Sequence, residues 1–143
     1  MKKTVFTGFF LLFGILIYGQ TPLGVWKTID DETKEEKSYV KIYETEDETL
    51  EGQIVKILTP GREDAKCTKC SGDKKDKPID GMIILWGLEK SDSDTWKGGT
   101  ILDPNNGKEY KAKITLKDEN TLEVRGYIGI SLFGRTQTWY REE

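Results

Sequence analysis

Cys67-Thr68-Lys69-Cys70 is the sharpest chemical motif in the chain. Two thiols at this spacing can close a short-loop disulfide, act as a redox pair, or supply half of a zinc site. Zinc needs further soft ligands, and the 143 residues hold two cysteines and no histidine. A thioredoxin-type redox pair needs a strand before it and a helix after it, and Ser71-Gly72-Asp73 with the lysines beyond offers no helix. Covalent haem attachment needs a histidine where Ser71 stands. A structural Cys67–Cys70 disulfide is therefore expected, adding about 2 kcal/mol by the chain-entropy argument for so short a loop. Free thiols at these positions would have their pKa lowered by Lys66, Lys69, Lys74 and Lys75.

The missing histidine also removes Ser-His-Asp and Cys-His catalysis and imidazole-based pH switching. Asp103-Pro104-Asn105-Asn106-Gly107, with Glu109 beyond it, superficially resembles a calcium loop. It lacks the alternating acidic ligands and the distal bidentate glutamate of one. A hairpin turn explains it better, with Asn106-Gly107 as the positive-φ pair of a primed turn. The acidic runs Asp30-Asp31-Glu32 and Glu44 to Glu48 read as solvated turns. No catalytic residue, metal or cofactor is expected, and the protein reads as a non-enzyme.

Aromatic and arginine side chains remain as candidates. Trp26, Trp86, Trp96, Trp139, Tyr110 and Tyr127 can line a ligand pocket or fill the domain themselves, and the short chain favours filling. An inward arginine among Arg125, Arg135 and Arg141 can hold a carboxylate or close a rim. The candidate ligand-binding set is Trp86, Tyr110, Arg125, Tyr127 and Arg135.

The elements that position these residues are short strands. Candidates are Gly24–Thr28, Ser38–Tyr43, Leu50–Leu58, Met82–Trp86, Trp96–Leu102, Glu109–Leu116, Leu122–Ile128 and Arg135–Arg141. Tyr110, Ala112, Ile114 and Leu116 share one face, with Lys111 and Lys113 on the other; Leu122, Val124, Gly126 and Ile128 repeat the pattern against Glu123 and Arg125. The continuous apolar run Met82 to Trp86 suggests burial on both faces or a barrel corner. Residues 59–80 form the longest irregular stretch, a length that is more often functional or mobile than a short turn is. Hairpin-linked strands favour an antiparallel meander, and closing it removes aggregation-prone edges. Eight strands make a barrel just wide enough to be filled by side chains or to hold one small ligand.

The N-terminus has a different character. Met1-Lys2-Lys3, the apolar run Val5 to Tyr18 and the exit Gly19-Gln20-Thr21-Pro22 have the order of a secretory signal peptide. The run falls short of the roughly 20 apolar residues that span a bilayer. Residues 1–19 are thus read as a removed signal and 20–143 as one exported domain, periplasmic or secreted, with no membrane span. Losing Lys2 and Lys3 makes the formal charge of −3 more negative by two. Composition thus shows no electrostatic footprint for nucleic acid or anionic lipid.

Gly24-Val25-Trp26 in the first strand and Trp139-Tyr140-Arg141 in the last resemble the lipocalin and fatty-acid-binding (calycin) superfamily. The resemblance implies an all-β, single small antiparallel eight-stranded barrel, with Gly24, Trp26, Trp139 and Arg141 closing it. An arginine over an indole can seal a barrel end by cation–π contact and hydrogen bonds to carbonyls. A broader match is to the exported bacterial family called domain of unknown function 2147. It runs through Gly52-Gln53-Ile54-Val55, Trp96-Lys97-Gly98-Gly99, Leu102-Asp103-Pro104, Gly107-Lys108, Tyr110, Val124-Arg125-Gly126 and Gly134 to Trp139. Many members of that family carry cysteines near the third and fourth strands; here both lie in the loop between them, so no cysteine role carries over. The expected function is a calycin-like binding module for a small apolar or amphipathic ligand. The alternative is a filled barrel that contacts an envelope protein through loop 59–80. Oligomeric state stays open.

Overall fold

Every strand segment read from the alternation is a strand in the computed structural model, which describes Gly8 and residues 20–130 and 132–142. The proposed signal, residues 1–19, lies outside the described residues except for Gly8. The strands are β1 (Gly24–Ile29), β2 (Glu36–Glu44), β3 (Leu50–Ile57), β4 (Ile83–Lys90), β5 (Thr95–Asp103), β6 (Lys108–Asp118), β7 (Thr121–Tyr127) and β8 (Gly134–Arg141). Each pairs antiparallel with the next, and β1 meets β8 through Trp26↔Arg141 and Lys27↔Tyr140, closing the barrel.

Alternation decides what faces inward, since successive side chains in a strand point to opposite faces. Trp26, Val40, Ile42, Ile54, Leu85, Ala112, Ile114, Leu122, Val124 and Trp139 are all buried. Their volume fills the middle of the barrel. Trp26 and Trp139 are 0% and 1% exposed. A Cβ on Gly52 would already lie 3.1 Å from both Leu85 Cβ and Val40 Cγ1, so any side chain there would press on both.

The two ends of the barrel differ. At one end lie the turns around residues 45–49, 91–94 and 119–120, together with residues 20–23 and Glu142. There Arg141 lies 4.3 Å from the Trp26 ring centre. Its guanidinium donates to the carbonyls of Glu119 (2.6 Å), Leu23 (2.7 Å) and Thr21 (2.8 Å), while Trp26 Nε1 donates to Pro22 O at 2.8 Å. At the other end, the mouth, lie residues 30–35, 58–82, 104–107 and 128–133.

The β5–β6 connection departs from the expected primed turn. Only Gly107 has positive φ, at 72°, and Asn106 does not. The turn is wider, closed by Gly107 N–H to Asp103 O at 2.8 Å. Asp103 Oδ1 accepts from the Asn105 N–H and Asn106 Oδ1 from the Lys108 N–H. Asparagine serves here by its side-chain acceptor, which supplies the turn's hydrogen bond without a left-handed backbone. β7 also ends at Tyr127, leaving Ile128 in the tip of the following turn.

Candidate functional site

The irregular segment between β3 and β4 is built around Cys67–Cys70, which are disulfide-bonded, with Cα atoms 5.3 Å apart. Around it are a 3-10 turn at Gly72–Lys74 and one bridge between Lys66 and Pro78. The Asp76 N–H donates to Cys67 O, the Cys67 N–H to Lys77 O, and Lys75 Nζ to Thr68 O. Both cysteines are buried, as are Ile79 and Met82.

The segment covers the outside of the barrel wall. Ile101 pairs with Tyr110 and faces inward with it, since a Cβ on Gly126 would meet Ile101 Cγ2 at 3.2 Å and Tyr110 Cβ at 3.4 Å. Leu102 must then face outward, yet it is only 3% exposed. A depression of about 290 Å³ is lined by Cys70, Ser71, Lys74, Leu102, Gly107 and Glu109. Cys67 Sγ lies 3.5 Å from Pro104 O, and Lys74 Nζ stands 4.5 Å from the Trp86 ring centre. The loop is a stapled cover over β4, β5 and the β5–β6 turn. This is why the β4 run could be apolar on both faces.

The mouth itself has two unlike halves. Ile57 and Ile101 are partly buried against the core, and Tyr110, half-buried, accepts from Asn106 Nδ2 at 3.0 Å. Opposite them, β1, β2 and β8 supply polar groups. The Thr28 and Ser38 hydroxyls are hydrogen-bonded at 2.8 Å, and Gln137 Oε1 accepts from Trp139 Nε1 at 3.1 Å. Arg135 stands at the rim with its Nε 3.0 Å from Asp31 Oδ2 and Nη2 2.5 Å from Oδ1. That bidentate bond holds the Asp31 carboxyl below the usual carboxylate range and raises the Arg135 pKa. Glu32 adds a second contact to Arg135 at 3.4 Å.

The five candidate ligand residues do not converge on one site. Tyr110 and Arg135 belong to the mouth. Trp86 pairs with Thr100 on the outer wall, under Lys74. Arg125 and Tyr127 alternate with inward Val124 and Gly126, so both point outward, and Arg125 Nη1 donates to Thr136 Oγ1 at 2.8 Å. Thr28, Ser38, Ile57 and Gln137 escaped sequence reading. Thr28 and Ser38 lie on the inward parity of their strands, a signal that their polarity masked.

No curated protein sequence matches the chain. Among solved structures, protein HP1028 from the human pathogen Helicobacter pylori, described as belonging to the lipocalin family, superposes with a TM-score of 0.74 at 20% identity, over 85% of this chain and 82% of that one. A redesigned β barrel also aligns, at a TM-score of 0.48 and 17% identity, over 85% of this chain and 91% of that one. The first likeness shows a lipocalin-like barrel fold. Residues 24–141 match the family described as uncharacterized protein conserved in bacteria (DUF2147), so nearly the whole barrel is covered and the chain belongs to that family.

Proposed function

We propose that this protein is a non-enzymatic binding module that holds a small amphipathic molecule at the barrel mouth. The two-sided mouth carries the reading. Ile57, Ile101 and Tyr110 offer an apolar wall, while Thr28, Ser38, Gln137 and Arg135 offer donors and acceptors. The filled floor below sets the mode. A ligand rests across the mouth and does not thread the barrel, so a short apolar part suits it better than a long chain. Arg135 is held by Asp31 in the free protein, and a ligand carboxylate would take over that bidentate partner. Export, read from the order of residues 1–20, belongs to the same proposal.

The test is displacement of an environment-sensitive fluorophore by medium-chain carboxylic acids, with wild type and two variants. Saturable displacement is expected, weakened at least tenfold by Arg135→Gln and likewise by Tyr110→Ser, which removes part of the apolar wall. An absence of saturable displacement, or equal displacement by all three proteins, would overturn the proposal.

A further inference from the structure

The β7–β8 tip is the most apolar exposed surface among the described residues. Ile128, Ile130, Leu132 and Phe133 are 66%, 58%, 80% and 71% exposed. Exposed apolar residues scattered singly are ordinary, but four in one turn are not. From Gly126 to Gly134 the sequence carries no charge, and Arg125 and Arg135 bracket it.

Charge around the tip is assembled by register. Lys97 pairs with Lys113, and Lys113 with Arg125, so three cations lie side by side across β5, β6 and β7 on the outer wall. Like charges directly opposite destabilise a sheet, and the acid in register with this row is Glu89 on β4, opposite Lys97, which leaves Lys113 flanked by cations on both sides. Lys111 lies one row nearer the tip, pairs with Tyr127, and donates to Gly129 O at 3.4 Å. Lys97, Lys111 and Lys113 form no ion pair among the described residues. The far end of the barrel has the opposite sign, with Glu46, Asp47, Glu48, Asp92, Asp94 and Glu119 in its turns. At the mouth end, the β1–β2 turn holds Asp30, Asp31, Glu32 and Glu35, with Asp31 paired to Arg135. Segment 58–82 sets Glu63, Asp64, Asp73, Asp76 and Asp80 against Arg62, Lys66, Lys69, Lys74, Lys75 and Lys77.

We propose that the β7–β8 tip docks this protein on an anionic bilayer surface. Ile128, Ile130, Leu132 and Phe133 enter the interfacial layer, and Lys111, Lys113 and Arg125 at the base meet the headgroups. A projecting tip with cations set back behind it matches the depth profile of a bilayer, where apolar groups bury about 5–10 Å and basic groups stay with the phosphates. Tyr127, beside Lys111 at the base of the apolar tip, has the position aromatic residues take at such interfaces. The acidic far pole is repelled, which orients the molecule mouth-down.

Among the described residues, every strand and every pairing of the barrel lies between Gly24 and Arg141, so residues 20–143 are the protein to test. Co-sedimentation with vesicles of phosphatidylglycerol and phosphatidylcholine should show binding that weakens as salt rises and as phosphatidylglycerol is removed. Leu132→Ser with Phe133→Ser should reduce binding at least tenfold, and Lys111→Glu with Lys113→Glu should do the same, with the circular dichroism of the barrel unchanged. Absence of binding by the wild type, or full binding by the tip variant, would sink the proposal. A dimer in sedimentation that the tip variant dissolves, without vesicle binding, would assign the surface to a second copy instead and equally overturn it.

Discussion

Gly107 shows how one residue can fix the placement of a 22-residue segment. Its φ of 72° is open to glycine and strained for other residues, and a Cβ there would lie 1.9 Å from Lys69 O. The backbone of the disulfide loop is seated on this glycine. Gly107→Ala should cost about 3 kcal/mol or more, combining a left-handed backbone with a collision against main chain. Gly98→Ala provides the comparison, because Gly98 has φ 79° but nothing within 4 Å, leaving backbone strain alone at about 1 kcal/mol. Urea unfolding of both variants should separate them by about 2 kcal/mol, and equal losses would mean that the loop is not held here. Arg141 is the other such residue. Its three carbonyl contacts need the forked guanidinium, so Arg141→Lys should destabilise by about 2 kcal/mol despite keeping the charge. Amide exchange should then quicken at residues 21–26, which those contacts tie down.

At the scale of elements, the loop over residues 59–80 behaves as a unit separable from the barrel. It contributes Cys67, Cys70 and Ile79 to burial but no strand to the sheet. Replacing both cysteines by alanine should therefore cost about 2 kcal/mol, expose Leu102 and leave the eight strands intact. Limited proteolysis should cut the variant within 59–80 while far-ultraviolet circular dichroism stays unchanged; loss of the β signal would show that the loop is integral to the barrel. The strands were legible because alternation is local, as in Tyr110, Ala112, Ile114 and Leu116 of β6. So were Trp26 and Arg141, each read from a short motif at one end of the chain. What stayed hidden depends on pairing across strands. Nothing within the Trp86 segment says that Lys74 will cover it, and nothing local makes Arg125 an outer-wall residue of a cationic row. A chain of net charge −3 looks featureless until Lys97, Lys113 and Arg125 come together by register.

For the whole molecule, the distribution of titrating groups predicts a broad plateau of stability against pH. There is no histidine, and both cysteines are bonded, so no side chain with an ordinary pKa between 5 and 8 is present. At the acid edge, Asp30 is held below its usual range chiefly by the Thr33 N–H, and Asp31 chiefly by Arg135. A carboxylate depressed on folding stabilises above its unfolded pKa of about 3.9, and that contribution disappears as pH falls through the folded value. At the alkaline edge, burial and the Glu51 carboxylate, 2.6 Å from the hydroxyl, push Tyr43 up to about 12. A group raised on folding stabilises below its unfolded pKa, and the contribution is lost as pH climbs from about 10 through the folded value. Lys27, raised chiefly by its hydrogen bond to Glu36, has the same sign. Urea midpoints should thus stay level from about pH 5 to pH 9 and fall on both sides. Arg135→Gln should shrink the acid-side drop by returning Asp31 toward its ordinary pKa, and Tyr43→Phe should shrink the alkaline one. The two variants act on opposite edges of the plateau, so a change at the wrong edge, or a slope between pH 5 and 9, would show that other groups govern the stability of this barrel.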